Sequence, residues 1–158
     1  MTKTGPWLAL SALLVAADQI TKYVAVQQLA LSQIVAVTPF FNLVLVYNAG
    51  AAFSFLSDAA GWQRGVFIGI ALIASAWIVF LLRRHPHQRL FALALSLVLA
   101  GAVGNVIDRV LHGAVIDFLD FHAYGYHWPA FNVADSAISC GAALLIWDAF
   151  RPKARDEG

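Results

Sequence analysis

Long, mainly apolar runs separated by short polar breaks dominate the chain, and their lengths set the first expectation. A bilayer core about 30 Å thick needs roughly 20 mainly apolar helical residues. Trp7–Val26, Gly65–Leu82 and Leu90–Ile107 meet that length, and Ala130–Phe150 meets it once Asp135 near its start is accepted. The pattern predicts an α-helical integral membrane protein with four spans in a single membrane domain covering residues 1–158, with 27–64 and 108–129 outside the spans on one face.

The segment Tyr23–Leu56 is also uncharged, yet its texture differs. Gln33–Asn48 (QIVAVTPFFNLVLVYN) is rich in β-branched and aromatic residues, is interrupted by Pro39, and is punctuated by Asn42, Asn48 and Gly50. Those features favour short strands over a fifth helix and predict a small β-sheet at the membrane surface. The region 108–129 is expected as an outer loop over the site. Met1–Leu14 has the texture of an export signal but runs on through Asp18 and Lys22 without a clear cleavage site, so a retained span is expected.

Composition agrees with this frame. The chain is 61% hydrophobic and only 12% charged, against roughly 25% charged in soluble domains. A net charge of +1 gives no dense basic patch, which argues against a nucleic-acid partner. The single cysteine, Cys140, excludes an internal disulfide and a cysteine-based metal site. Seven of the ten cations (Lys3, Arg83, Arg84, Arg89, Arg151, Lys153 and Arg155) fall on one side of a four-span arrangement. Cytoplasmic loops collect Lys and Arg, so both termini are expected in the cytoplasm and 27–64 and 108–129 outside. Trp7, Trp62, Trp128 and Trp147 near span ends fit the interfacial belts.

Ionisable groups inside a bilayer cost about 2.5 kcal/mol or more each, so each needs a reason to be there. Asp135 in PAFNVADSAIS lies about one turn into the fourth span, with Asn132 three residues earlier on what is read as the same helical face. Asp117 in VIDF stands in the outer loop with apolar neighbours, and Asp120 three residues on competes with it. Either would make a pair with Asp135, and two carboxylates in an apolar setting share a proton, which suits peptide hydrolysis. A helix cap and an ordinary loop aspartate are the plainer readings of the same residues. Asp18 and Lys22, four apart in the first span, predict a structural ion pair. GNVIDR sets Asn105, Asp108 and Arg109 on one side of the third span, and YNAGAAFSF places Asn48 beside a small flexible run. His112, His122 and His127 lack a recognised ligand spacing, so neither a metal nor a cofactor is expected.

Intramembrane charges are equally compatible with a small proton or ion transporter, or with a non-catalytic membrane scaffold. The discriminating feature is the set of ordered blocks DQITK, YNAGAAFS, GNVIDR, VIDF and FNVADS, spanning residues 18 to 136. Together they resemble the signature blocks of the prolipoprotein signal peptidases (signal peptidase II). The resemblance implies an aspartic endopeptidase of the bacterial inner membrane with Asp117 and Asp135 as catalytic pair. It implies supporting roles for Asn48, Asn105, Arg109 and Asn132, and a first-span motif at Asp18 and Lys22. The implied substrates are prolipoproteins cut on the amino side of a diacylglyceryl-modified cysteine, the other partner being membrane lipid, with a monomer expected. Within the outer loop, His122–Trp128 (HAYGYHW) matches no block of that family.

Overall fold

The computed structural model describes residues 4–50 and 62–151. Lys3, Asp58, Lys153, Arg155 and residues 51–55 of the YNAGAAFSF run lie outside the described residues. The chain order is α1 (Gly5–Gln28), β1 (Ile34–Thr38), β2 (Phe41–Asn48), α2 (Trp62–Arg84), α3 (Arg89–His112), β3 (Val115–Ala123), β4 (Tyr126–His127) and α4 (Val133–Phe150). All four helices are long and apolar enough to cross a membrane.

Helix α3 is the centre of the bundle and packs against α1, α2 and α4. Its contact with α4 is built from small residues, as expected where the apolar solvent gives helices no hydrophobic reason to associate and close packing must hold them. A Cβ at Gly101 would collide with the Ala134 carbonyl, and one at Gly141 would lie 2.7 Å from the Ala94 carbonyl. The apolar core lies toward the opposite end from the sheet, where Ile78, Leu82, Ala92, Leu95 and Leu99 are buried and Trp7, Leu8 and Leu145 pack on them. Trp7 Nε1 donates to the Pro86 carbonyl at 3.0 Å. The start of α1, the α2–α3 turn and the end of α4 therefore share one end of the bundle, with Arg83, Arg84, Arg89 and Arg151 at it.

At the other end lies one antiparallel sheet in the order β1-β2-β3-β4. Strands β1 and β2 arise where the β-branched run predicts them. The second half of the sheet corrects the expectation of an outer loop. Helix α3 continues to His112, so Asp108 lies on it, and Gly113 ends it in the left-handed conformation at φ 80°. The chain then forms β3, which pairs with β2, and turns back through Tyr124 and Gly125, both at positive φ, into the short β4. A two-residue turn with both central residues left-handed matches the strand twist of a tight hairpin. The HAYGYHW stretch is that hairpin.

A bulge in β2 decides which side chains meet. Leu43 pairs with Leu119 but Val46 pairs with Asp117, so β2 carries one extra residue between them. A one-residue slip moves every later side chain to the other face. Asn48 thereby pairs with Val115 and shares a face with Asp117, which regular pairing would have denied it.

Candidate active site

Asp117 is carried by β3, not by a loop, and is buried at 1% exposure. Asp135 is in the first turn of α4, where the helix N-terminus favours a negative group. Asn132 is the N-cap with extended backbone, one step before the helix; it does not lie on a helical face as the sequence suggested. Its side-chain carbonyl accepts the Asp135 N–H at 2.9 Å.

Three asparagines from three elements bring these carboxylates into one network, and each is oriented by what its own carbonyl accepts. Asn132 Oδ1 is engaged by the Asp135 N–H, so its Nδ2 donates to Asp117 Oδ1 at 2.7 Å and to the Ile116 carbonyl at 3.1 Å. Asn48 Oδ1 accepts the Gly50 N–H at 2.9 Å, so its Nδ2 donates to Asp117 Oδ2 at 2.9 Å. Asn105 Oδ1 accepts from Lys22 Nζ at 3.2 Å, so its Nδ2 donates to Asp135 Oδ1 at 2.7 Å. Gly50 sits at φ 112° with space for no side chain, since a Cβ there would lie 2.7 Å from the Phe67 ring.

Burial pushes the Asp117 carboxyl up to about 6, opposed by the Asn48 hydrogen bond, reinforced by the charge of Asp135, and opposed again by Asn132 and Lys22. A buried carboxyl of that kind exchanges a proton near neutrality, which is what acid-base work requires. Arg109 lies over the Phe67 ring at 5.2 Å, donates to the Asn105 backbone carbonyl at 3.2 Å, and is within electrostatic reach of Asp135, Asp108 and Asp117.

Asp120 is kept out of this network. It lies three residues from Asp117 and so points to the opposite face of β3. There it accepts from Asn42 Nδ2 at 2.8 Å and contacts His127 Nδ1 at 2.9 Å. His127 stacks on His122 with centroids 5.0 Å apart. Among the described residues no group of three His, Cys, Asp or Glu side chains could hold a metal ion.

The first-span pair is present, and its further partners come from other helices. Lys22 Nζ lies 2.8 Å from Asp18 and 2.7 Å from Asp108, all three groups being buried at 1% exposure. These charges are closed on one another and buried from solvent. Gln19, inside the DQITK block but given no role by the sequence pattern, donates to Asp108 at 2.9 Å and to Asp18 at 3.2 Å.

Residues 10–151 match the family described as Signal peptidase (SPase) II. The chain is 56% identical over 147 residues to a lipoprotein signal peptidase of Burkholderia mallei (strain SAVP1), covering 93% of this chain and 89% of that protein. It is 59% identical over 145 residues to the lipoprotein signal peptidase of Cupriavidus necator, covering 92% and 83% respectively. A bacterial membrane enzyme solved by the in meso method at 1.9 Å superposes with a TM-score of 0.83 and 33% identity, covering 94% of this chain and 95% of the other.

Proposed function

This chain belongs to the signal peptidase II family, and from that premise we propose that Asp117 and Asp135 are the catalytic pair with which it cleaves prolipoproteins. It is a membrane aspartic endopeptidase that removes signal peptides. The observation that carries the assignment of the pair is the convergence of three oriented asparagine amides on these two carboxylates at the sheet end of the bundle.

On this reading the ionised member takes a proton from a water, whose oxygen attacks the scissile carbonyl. The protonated member hydrogen-bonds the carbonyl oxygen and later protonates the leaving amine. The two act as a coupled pair that shares one proton. Asn48, Asn105, Asn132 and Arg109 fix the carboxylates and orient the substrate backbone, and the positive charge of Arg109 offsets the negative charge of the pair. The cut falls on the amino side of the diacylglyceryl-modified cysteine, a substrate that stays in the bilayer and so must meet its enzyme at the membrane boundary. A single chain supplies both carboxylates and all three amides, so the working unit is taken as a monomer.

The test is cleavage of a diacylglyceryl-modified prolipoprotein by the purified protein. Asp117→Asn and Asp135→Asn are each expected to remain folded and lose cleavage, and full activity in either would remove the assignment.

The proposed location is the bacterial inner membrane, with both termini cytoplasmic and the sheet outside. It rests on the four cations at the core end of the bundle. In a Cys140→Ser background, Tyr124→Cys at the exposed hairpin tip should react with an impermeant thiol reagent from outside, and Arg84→Cys only after permeabilisation. The reverse pattern would invert the topology.

A further inference from the structure

The two aspartates sit on different elements, and a buried charge cluster in the helices behind them reaches the chain beside each. Asp18 Oδ1 accepts the N–H of Ala134 at 2.8 Å, and Ala134 directly precedes Asp135. Asp108 Oδ2 accepts the N–H of Ile116 at 3.2 Å, and Ile116 directly precedes Asp117. Each active carboxylate is thus one peptide unit, about 3.8 Å of Cα spacing, from a backbone amide held by a buried carboxylate.

Lys22 joins the two anchors. Its ammonium group has three donors, and three acceptors surround it: Asp18 at 2.8 Å, Asp108 at 2.7 Å and Asn105 Oδ1 at 3.2 Å. The third contact turns the Asn105 amide so that its nitrogen meets Asp135 at 2.7 Å. Gln19 braces the same two carboxylates from α1. An ion pair needed only to hold α1 against α3 would not have to end on the residues preceding Asp117 and Asp135.

Resting on the assignment of that pair, we infer that Lys22 is a positioning residue for hydrolysis, the Asp18–Lys22–Asp108 cluster setting the spacing of the two carboxylates and the orientation of Asn105. A planar, forked guanidinium cannot direct donors to three acceptors arranged around one nitrogen, so lysine is required and arginine is no substitute.

The experiment measures kcat, KM, pH profile and thermal unfolding of the purified full chain on a diacylglyceryl-modified prolipoprotein. Lys22→Met is compared with the double variant Lys22→Met/Asp108→Asn, which keeps the cluster's net charge and an acceptor for Ile116. Both are expected to hold KM within about threefold while kcat falls about 100-fold, the scale of a misplacement near 1 Å. Because the Lys22 charge draws the Asp117 carboxyl down, the pH profile of the coupled pair should also move to higher pH in Lys22→Met. A mere loss of helix packing would not produce that shift.

A kcat within threefold of wild type overturns the inference, as does a loss confined to KM. So does failure of both variants to fold, which would make the cluster a general support of the bundle. Asp117→Asn and Asp135→Asn run alongside. Activity surviving in either removes the pair itself, whereas inactive aspartate variants beside a fully active Lys22→Met remove this inference alone.

Discussion

The amide nitrogen of Asn132 lies 2.7 Å from Asp117 Oδ1, while the carbonyl of the same side chain caps the helix that carries Asp135. One residue therefore serves both a helix end and the proposed catalytic carboxylate Asp117, and the two duties can be separated. Asn132→Ser keeps an oxygen able to cap α4 but has no amide to reach Asp117, whereas Asn132→Ala loses both. Both variants should lose activity by about 10- to 100-fold, since a charge-assisted hydrogen bond contributes about 1.5–3 kcal/mol. Both lose the buried bonds to Asp117 and the Ile116 carbonyl, and Asn132→Ala should be less stable than Asn132→Ser by about a further 1 kcal/mol, the usual cost of a missing cap. Cleavage rates beside thermal unfolding of the two variants decide it.

The raised pKa of Asp117 makes stability depend on pH with a definite sign. Its folded-state value is about 6 against 3.8 for the free carboxyl, through burial first, with Asn48 opposing and the charge of Asp135 reinforcing. A group raised in this way contributes stability that is fully present below the unfolded value and lost as pH rises through the folded one. The wild type should therefore lose about 2–3 kcal/mol relative to Asp117→Asn between about pH 4 and pH 7. Thermal unfolding of both proteins in the same detergent across that range is the check, and parallel curves would contradict the burial of this carboxylate as a charge.

The four helices follow from mainly apolar runs of the right length, and β1 and β2 from the β-branched run Gln33–Asn48; where the chain's own pattern is silent, the silence has physical causes. Strand β3 reads as a loop because Val115–Asp120 is buried on both faces apart from the partly covered Leu119, and its aspartates break up any apolar alternation. Nothing local announces the bulge between Leu43 and Val46 that turns Asn48 toward Asp117. The pairing of Asp18 with Lys22 is legible because the residues are four apart on one helix. Their bonds to Asp108, Asn105 and Ala134 depend on how three helices pack, which no spacing in the sequence encodes.

Close packing of α3 on α4 predicts sensitivity at a residue with no polar chemistry. A Cβ on Gly104 would lie 2.6 Å from Asp18 Oδ2 and 3.3 Å from the Ala134 Cβ. Gly104→Ala must then push Asp18 off the Ala134 N–H or open the helix pair. A stability loss of about 1–3 kcal/mol is expected, the usual range for overpacking, together with a fall in kcat larger than the change in KM. Gly5→Ala, where a Cβ meets nothing within 4 Å, is the control and should leave both parameters unchanged.

Asp117 and Asp120 lie three residues apart on one strand, and that separation predicts opposite outcomes for the same substitution. Burial pushes the Asp120 carboxyl up, but the hydrogen bonds from Asn42 and His127 and the charges of His127 and His122 outweigh it, so it stays below the ordinary carboxylate value. It is accordingly an ionised anchor for the β3–β4 hairpin, and its stabilisation is present above the unfolded pKa and lost as pH falls through the folded one. Half of the His127 side chain is open to solvent, at 52%, so this pair contributes only about 0.2–1 kcal/mol. Asp120→Asn should lose no more than that in stability and keep at least about a third of wild-type cleavage, because the hairpin carries none of the residues bonded to Asp117 or Asp135. Asp117→Asn, assayed on the same prolipoprotein, should fall by about 1,000-fold or more, an acid-base group alone contributing about 10²–10⁴. Equal losses in the two variants would mean that both faces of β3 serve the reaction, and the division of the strand into a catalytic face and an anchoring face would have to be abandoned.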